Sequence, residues 1–397
     1  MSGCNLNSLD PRKFMEIVPA REKNIAMAGS ALDGTESYAN KLARSLHPKI
    51  QHMVVYSVEK HNPMVRSYVL KMVDPLARPA FFSAGQYISV HLEINGKQLR
   101  RPYSISSSPE DSCNGFYRIT VKHQEGGLAT EYIFNNWRQG VYVDVSEPMG
   151  TFTYEPLRDS RHIIGIAGGT GITPFLSLAK AISEGSENCE LTLLYGNKDG
   201  NVILMQDELN SIADACSSVR IQYITGNITA RHIEQVIEAS PGGAKTSLFI
   251  CGSQDMYRYI AEQIAQVYAA RCIDSSLIRK YVRYEHFGEL YSIKSCDDCP
   301  SGFPEYVNIC VKIKDKQVTF RASCEETLLR SLEENGIAAL SGCRSGDCGY
   351  CRSKLLAGEV YVPRRADGRR LADSKNSYIH PCCSFPLTDI EMEVPTV

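Results

Sequence analysis

Cys343-Arg344-Ser345-Gly346-Asp347-Cys348-Gly349-Tyr350-Cys351 holds three thiols at a Cys-x4-Cys-x2-Cys spacing, and Cys382 and Cys383 follow further along. Three close cysteines with one distant partner is the plant-type spacing for a [2Fe–2S] cluster, a one-electron carrier whose two irons share four thiolates. Ser345, Gly346 and Gly349 are small, so the loop can wrap closely and turn N–H groups toward the sulfurs. Structural zinc is the competing use of such thiols, but it usually shows short paired spacings in both halves of the site.

Two further stretches carry chemistry. Gly168-Gly169-Thr170-Gly171-Ile172-Thr173-Pro174 follows an apolar run and opens a helical one, a placement where glycines admit a pyrophosphate and a helix N-terminus offers unpaired N–H groups. The spacing is not the Rossmann G-x-G-x-x-G. Upstream, Arg101-Pro102-Tyr103-Ser104 puts a cationic fork, an aromatic face and a hydroxyl within four residues, and Gly127-Leu128-Ala129-Thr130 starts a helical run to Trp137. Those types suit a phosphate, a flavin ring and a ring nitrogen, with the second helix start serving another anionic group.

The elements that position these residues change character along the chain. Met53–Glu59, Arg66–Val73, Gln86–Ile94, Tyr103–Ser107, Phe116–His123 and Val141–Val145 alternate as strands between turn signals, which predicts a small antiparallel barrel. His162–Ala167, Glu190–Tyr195, Arg220–Thr225 and Leu248–Cys251 are apolar strands each followed by a helical stretch, which predicts an α/β domain with a parallel sheet. From about Glu305 the pattern is two strands, a helix near Glu325–Asn335, the cysteine loop and a strand at Glu359–Val362. The expected organisation is a 1–52 extension, a 53–158 barrel, a 159–290 nucleotide domain, a 291–304 linker and a 305–397 cluster domain. In the extension, Arg12–Ile17 and Ser37–Leu46 read as short amphipathic helices. Cys296 and Cys299 in the linker lack a second pair, so a plain connection is expected there.

Composition excludes other classes. The chain has 397 residues and a formal net charge of −2, too little positive charge for a broad nucleic-acid surface. The longest uncharged run, Ile163–Ala179, holds four glycines and Pro174, a poor membrane span, so no membrane insertion is expected. Fifteen cysteines in a long chain that begins without an apolar leader are read as reduced thiols in the cytoplasm.

Taken in order, Arg101-Pro102-Tyr103-Ser104, Gly127-x-x-Thr130, Gly168–Pro174 and Cys251-Gly252 resemble the ferredoxin–NADP reductase superfamily over residues 53 to about 290. Residues 305–397 resemble a plant-type ferredoxin of β-grasp fold, and the fused order is similar to phenylacetyl-CoA epoxidase reductase subunits and hybrid-cluster-protein reductases. The resemblance implies that Arg101, Pro102, Gly127, Leu128, Ala129 and Thr130 hold a flavin pyrophosphate, that Tyr103 lies against the isoalloxazine, and that Ser104 bonds near N5. It implies that Gly168, Gly169, Thr170, Gly171 and Thr173 hold the nicotinamide pyrophosphate, with Thr173, Cys251 and Gly252 near the reacting ring and Glu285 and Phe287 closing over the flavin. The ferredoxin ending His380-Pro381-Cys382-Cys383-Ser384-Phe385-Pro386 implies Cys382 as the fourth ligand beside Cys343, Cys348 and Cys351. FAD is expected over FMN, and NADH over NADPH because Gly196-Asn197-Lys198-Asp199 offers one cation beside one acid.

The implied activity is a reductase taking hydride from NAD(P)H into FAD and passing single electrons through the cluster to an outside acceptor protein, such as an oxygenase or a reductive metalloenzyme. The alternative is an electron-transfer or redox-sensing subunit that does not itself oxidise NAD(P)H, a layout related to dihydroorotate dehydrogenase electron-transfer subunits. Those crowd their cysteines together, unlike the long Cys351 to Cys382 gap. Arg364, Arg365, Arg369 and Arg370 lie between the third and fourth ligands, either as a solvated loop or as a docking patch for an acidic partner.

Overall fold

The structure is a computed structural model describing residues 38–46 and 48–395 apart from 198–202, 241–244, 286, 287, 289, 291 and 297, with a few isolated positions between 19 and 27. It falls into two units, residues 1–46 and 47–397. In the first, the expected second helix is present as Tyr38–Leu46, with Tyr38 and Leu42 exposed, while Arg12–Ile17 lies outside the described residues.

In the second unit the chain first builds one antiparallel sheet from β1 (Gln51–Asn62), β2 (Val65–Met72), β3 (Tyr87–Ile94), β4 (Lys97–Ser104), β5 (Phe116–Lys122) and β6 (Tyr142–Val145). Its order is β4-β3-β6-β1-β2-β5, and an Ile105–Ile119 bridge closes it into the barrel expected from the alternating pattern. The strand expected at Tyr103–Ser107 instead starts at Lys97. Its first half, Lys-Gln-Leu-Arg-Arg, has too few apolar residues to show a period of two. What sets it is the turn before it: Asn95 (φ 53°) and Gly96 (φ 75°) form the paired left-handed corner that favours a two-residue hairpin. The hairpin fixes the register, placing Tyr87 opposite Ser104 and Val90 opposite Arg101.

The second sheet is parallel, with order β11-β10-β7-β8-β9, made of β7 (His162–Gly168), β8 (Glu190–Asn197), β9 (Val219–Thr225), β10 (Ser247–Cys251) and β11 (Val282–Glu285). β7 and β10 are buried almost throughout, the mark of strands covered on both faces. β11 was not expected, because Val-Arg-Tyr-Glu on a sheet edge carries little apolar signal. From β9 the chain crosses to the far side of β7, so β7 and β10 flank the point where strand order reverses, where open α/β sheets form their ligand crevice. Glu208 ties this domain to the barrel by pairing with Arg118 of β5 at 2.9 Å and with Lys180 at 2.7 Å.

The last domain sets a mixed sheet, β13-β12-β18-β14-β16, around the helix Leu328–Glu334. Its strands are β12 (Tyr306–Ile313), β13 (Lys316–Ser323), β14 (Ser353–Ala357), β16 (Tyr378–Ile379) and β18 (Ile390–Glu393), with β15 (Val360–Tyr361) pairing β17 (Phe385–Pro386) alongside. Thr327 caps the helix, and Leu328, Leu329 and Leu332 bury its apolar face. Leu290, Ile293 and Cys296 pack into the same core, so Cys296 is a packed thiol there. The architecture is the expected one: an antiparallel barrel, a parallel α/β domain and a β-grasp domain. Among the described residues no helix is long and apolar enough to cross a membrane.

Candidate functional site: a junction of three domains

Arg101, Pro102, Tyr103 and Gly127 to Thr130 line one cleft of about 650 Å³, together with Thr170 and Gly252 of the nucleotide domain. The two sequence motifs of the barrel therefore face the nucleotide loop across one space. Gly127 caps the helix Leu128–Asn136 without a side chain, and a Cβ there would meet Thr130 Oγ1 at 2.7 Å and the Gln124 carbonyl oxygen at 2.9 Å. Thr130 Oγ1 donates to the Gln124 and Gly127 carbonyls, so it fixes the turn that delivers the helix start. This suits an anion held by helix N–H groups with Arg101 beside them. Burial raises the Tyr103 hydroxyl above its ordinary pKa.

At the carboxyl ends of the parallel strands the register sets Ala167 beside Cys251 and Cys251 beside Glu285. The Gly168–Thr173 loop is pressed onto them: a Cβ on Gly171 would lie 2.2 Å from the Cys251 carbonyl oxygen, and one on Gly168 or Gly252 would run into Met256 Sδ. Thr173 is buried as the first residue of its helix, and its Oγ1 donates to the Thr170 carbonyl at 3.0 Å, so it shapes the loop from within. Tyr195 Oη donates to the Gly169 carbonyl at 3.1 Å from the next strand. The Gly252 N–H donates to Tyr257 Oη at 3.1 Å, and the same hydroxyl donates to the Glu285 carbonyl. Burial, with the neighbouring Cys343 and Asp347, holds the Glu285 carboxyl well above the usual carboxylate range. Burial likewise raises the Cys251 thiol, which makes it a packing group and no thiolate nucleophile. Phe287, Lys198 and Asp199 lie outside the described residues.

The cysteine loop arrives on the other side of this point. Cys343, Cys351 and Cys382 are buried and Cys348 is exposed. Backbone N–H groups turn onto the sulfurs: Ser345 and Cys348 onto Cys343 Sγ at 3.5 and 3.3 Å, Cys343 and Tyr350 onto Cys348 Sγ, both at 3.4 Å. Cys351 and Cys382 Sγ lie 3.4 Å apart. Among the described residues no three His, Cys, Asp or Glu side chains converge on a single ion. Cys343 and Cys348 exchange N–H contacts with one another's sulfurs and Cys351 pairs with Cys382, a donor set that fits a cluster giving each of two irons two thiolates. Cys383 is fully buried with its Sγ toward the His380 carbonyl.

Three residues without an obvious motif complete the junction. Tyr87, at the start of β3, reaches the cluster loop: a Cβ on Gly342 would lie 3.1 Å from both the Tyr87 hydroxyl and Cys348 Sγ. A Cβ on Gly150 would meet the Tyr87 ring at 2.9 Å and Glu285 Oε1 at 4.0 Å. The barrel, the nucleotide domain and the cluster loop thus meet around one tyrosine. Glu333 and Arg344 line the flavin cleft from the cluster domain and are buried. In sequence, Gly85-Gln86-Tyr87 and a lone Glu-Glu on a helix carry no chemical signature, and only the Asn-Gly hairpin register hints at Tyr87.

Comparison with known proteins matches this geometry domain by domain. The oxidoreductase FAD-binding domain family matches residues 51–154, the oxidoreductase NAD-binding domain family residues 166–262, and the 2Fe-2S iron-sulfur cluster binding domain family residues 311–387. The glycine betaine monooxygenase reductase subunit of Chromohalobacter salexigens is 24% identical over 79% of this chain and 87% of its own length. NADH oxidoreductase HCR of Escherichia coli is 22% identical over 78% and 88%. The plasma membrane-associated coenzyme Q6 reductase PGA3 of Saccharomyces cerevisiae is 30% identical over 55% and 72%. The crystal structure of phthalate dioxygenase reductase superposes with a TM-score of 0.62 at 24% identity, over 87% of this chain and 98% of that one. Fold and site together define a nicotinamide-dependent iron–sulfur flavoprotein oxidoreductase, with FAD, a nicotinamide nucleotide and a [2Fe–2S] cluster as its cofactors. The chain belongs to the ferredoxin–NADP reductase superfamily, in the form that carries a C-terminal plant-type ferredoxin domain.

Proposed function

We propose that this chain is the reductase component of a multi-component system, oxidising NADH and delivering single electrons to a separate oxygenase protein. The meeting of Tyr87, Glu285 and Cys348 carries the reading, because it puts flavin barrel, nucleotide crevice and cluster loop at one point. When bound, the flavin accepts a hydride from the nicotinamide and releases its two electrons one at a time to the cluster.

The protein's part is orientation and exclusion of water. Arg101 and the N–H groups after Gly127 would hold the flavin pyrophosphate, Tyr103 would pack on the ring, and Ser104, next along the strand, would supply a hydrogen bond to it. The Gly168–Thr173 loop, seated on the Cys251–Gly252 backbone, would hold the nicotinamide pyrophosphate. Cys251 closes the floor as an uncharged thiol. Glu285 presents its carboxyl at the crevice, where burial favours the neutral form, and Tyr257 fixes its backbone. Cys343, Cys348, Cys351 and Cys382 are the cluster ligands. The name of the glycine betaine monooxygenase reductase subunit among its relatives supports an oxygenase acceptor. Fourteen cysteines without a disulfide among the described residues support a reducing, cytoplasmic setting.

Anaerobic mixing with NADH tests the reading, with NADPH in a parallel run. Flavin and cluster absorbance should both bleach, faster with NADH. A spectrum unmoved by either nucleotide overturns the reductase, and equal or faster bleaching by NADPH overturns the choice of donor.

A further inference from the structure

The cluster loop is seated on the flavin barrel by a buried row of charges. Arg344, the residue after the first cysteine of the loop, is 2% exposed, and Glu333, near the end of the cluster-domain helix, is 5% exposed. Arg344 holds Glu333 at both ends, Nη1 to Oε1 at 2.6 Å and Nη2 to Oε2 at 2.9 Å, and also donates to the Arg100 carbonyl at 3.3 Å. On its other side Glu333 takes Arg101 Nη1 at 3.3 Å from both oxygens. Arg100 lies alongside, near Tyr350 of the same loop.

The row crosses a domain boundary and ends on the arginine assigned above to the flavin pyrophosphate. A lone carboxylate beside Arg101 would cancel its charge and compete with the phosphate for its donors. With Arg344 on the same carboxylate the three groups sum to one positive charge. Among the described residues the bonds of Arg101 to protein run from Nη1, which leaves most of its five-donor fork for an anion in the cleft. Arg344 is left-handed (φ 60°), an uncommon conformation for a long side chain, held here at the position where its guanidinium meets Glu333.

We infer that Glu333 and Arg344 are positioning residues through which flavin retention and seating of the cluster loop depend on one another: Arg344 neutralises Glu333 so that Arg101 stays available to the flavin phosphate, and Glu333 fastens Arg344, and with it the cluster loop, to the barrel. This rests on the assignment of Arg101. The charges give opposite signs for the two substitutions. Arg344→Met leaves Glu333 to cancel Arg101, so flavin is held more weakly. Glu333→Gln leaves two arginines at the cleft, so flavin is held at least as well while the cluster loop loosens.

The test uses the full-length holoprotein and reads FAD release by fluorescence on dilution, and hydrogen exchange in residues 97–104 and 341–351. Arg344→Met should weaken FAD retention on the order of tenfold. The double variant Arg344→Met/Glu333→Gln should restore it to within about twofold, because removing the competing carboxylate frees Arg101 again. Glu333→Gln alone should raise exchange in the cluster loop without weakening FAD retention. Should Arg344→Met fail to fold, Arg344→Lys serves: it should keep FAD retention while raising loop exchange, and weaker FAD retention there overturns the inference. Native FAD retention in Arg344→Met, or a double variant no better than the single, also overturns it. Arg101→Met is the control: if FAD retention is unmoved there, the assignment of Arg101 fails, and if only Arg101→Met weakens it, the coupling fails.

Discussion

The adjacent thiols Cys382 and Cys383 show how little separates a ligand from a packing group. Both are buried in the turn Pro381–Cys383, yet Cys382 Sγ stands 3.4 Å from Cys351 Sγ while Cys383 Sγ turns back to the His380 carbonyl. Cys382→Ser is therefore expected to abolish cluster assembly, whereas Cys383→Ser should retain a full complement of iron and labile sulfide; metal and sulfide analysis of anaerobic preparations separates the two. At this scale the sequence was most informative where chemistry demands particular residue types at short spacing, as in Cys343 to Cys351 and Arg101 to Ser104. It was silent on Tyr87, Tyr257, Glu333 and Arg344. Their contribution comes from what lies opposite them in space, and a tyrosine or an ion pair reads in sequence like any other core or surface residue.

Among the elements, the glycine loop after β7 shows the tightest fit. A methyl group on Gly171 would stand 2.2 Å from the Cys251 carbonyl oxygen, and the atoms it meets are all Cys251–Gly252 backbone, which leaves nothing flexible to move. Gly171→Ala should push the loop off β10 and raise the Michaelis constant for NADH by tenfold or more, on the order expected when a binding element shifts by a fraction of an ångström. Flavin and iron content should stay native, since the barrel and the cluster domain do not touch that methyl; steady-state ferricyanide reduction checks the first and absorbance the second. Elements with strong periodicity, β7, β8, β10 and their helices, were legible in advance. β11 and the first half of β4 were not, because edge strands bury one side at most and need no apolar run. Yet β11 supplies Glu285 and β4 supplies Arg101 to Ser104, so the weakest signals belong to strands that deliver site residues.

At the scale of the whole molecule, an acceptor is expected to dock on the side of the cluster loop where Cys348 is exposed. The segment Arg364–Arg370 lies against it, where a Cβ on Gly346 would come within 2.0 Å of the Ala366 carbonyl oxygen. Two of its arginines are already paired, Arg364 with Asp298 at 4.0 Å and Arg369 with Asp367 at 2.7 Å. Arg365 and Arg370 are both exposed and serve for charge reversal. Arg365→Glu/Arg370→Glu should slow reduction of an acidic acceptor about tenfold at low salt and flatten its salt dependence, while ferricyanide reduction is spared. An unchanged rate with the natural acceptor would assign the loop to solvation alone. Domain order was legible from the switch of period along the chain. Domain contact was not, because nothing in a linear pattern says which surface of a ferredoxin meets which surface of a barrel.

The shared carboxylate at Glu333 bears on how such a protein can be rebuilt. A ferredoxin cassette exchanged at the connecting segment would arrive without the partner that Arg101 expects and without the small residue that lets Tyr87 approach a ligand sulfur. Grafts are therefore expected to need matched changes on the barrel, and the natural unit of exchange is barrel and ferredoxin together.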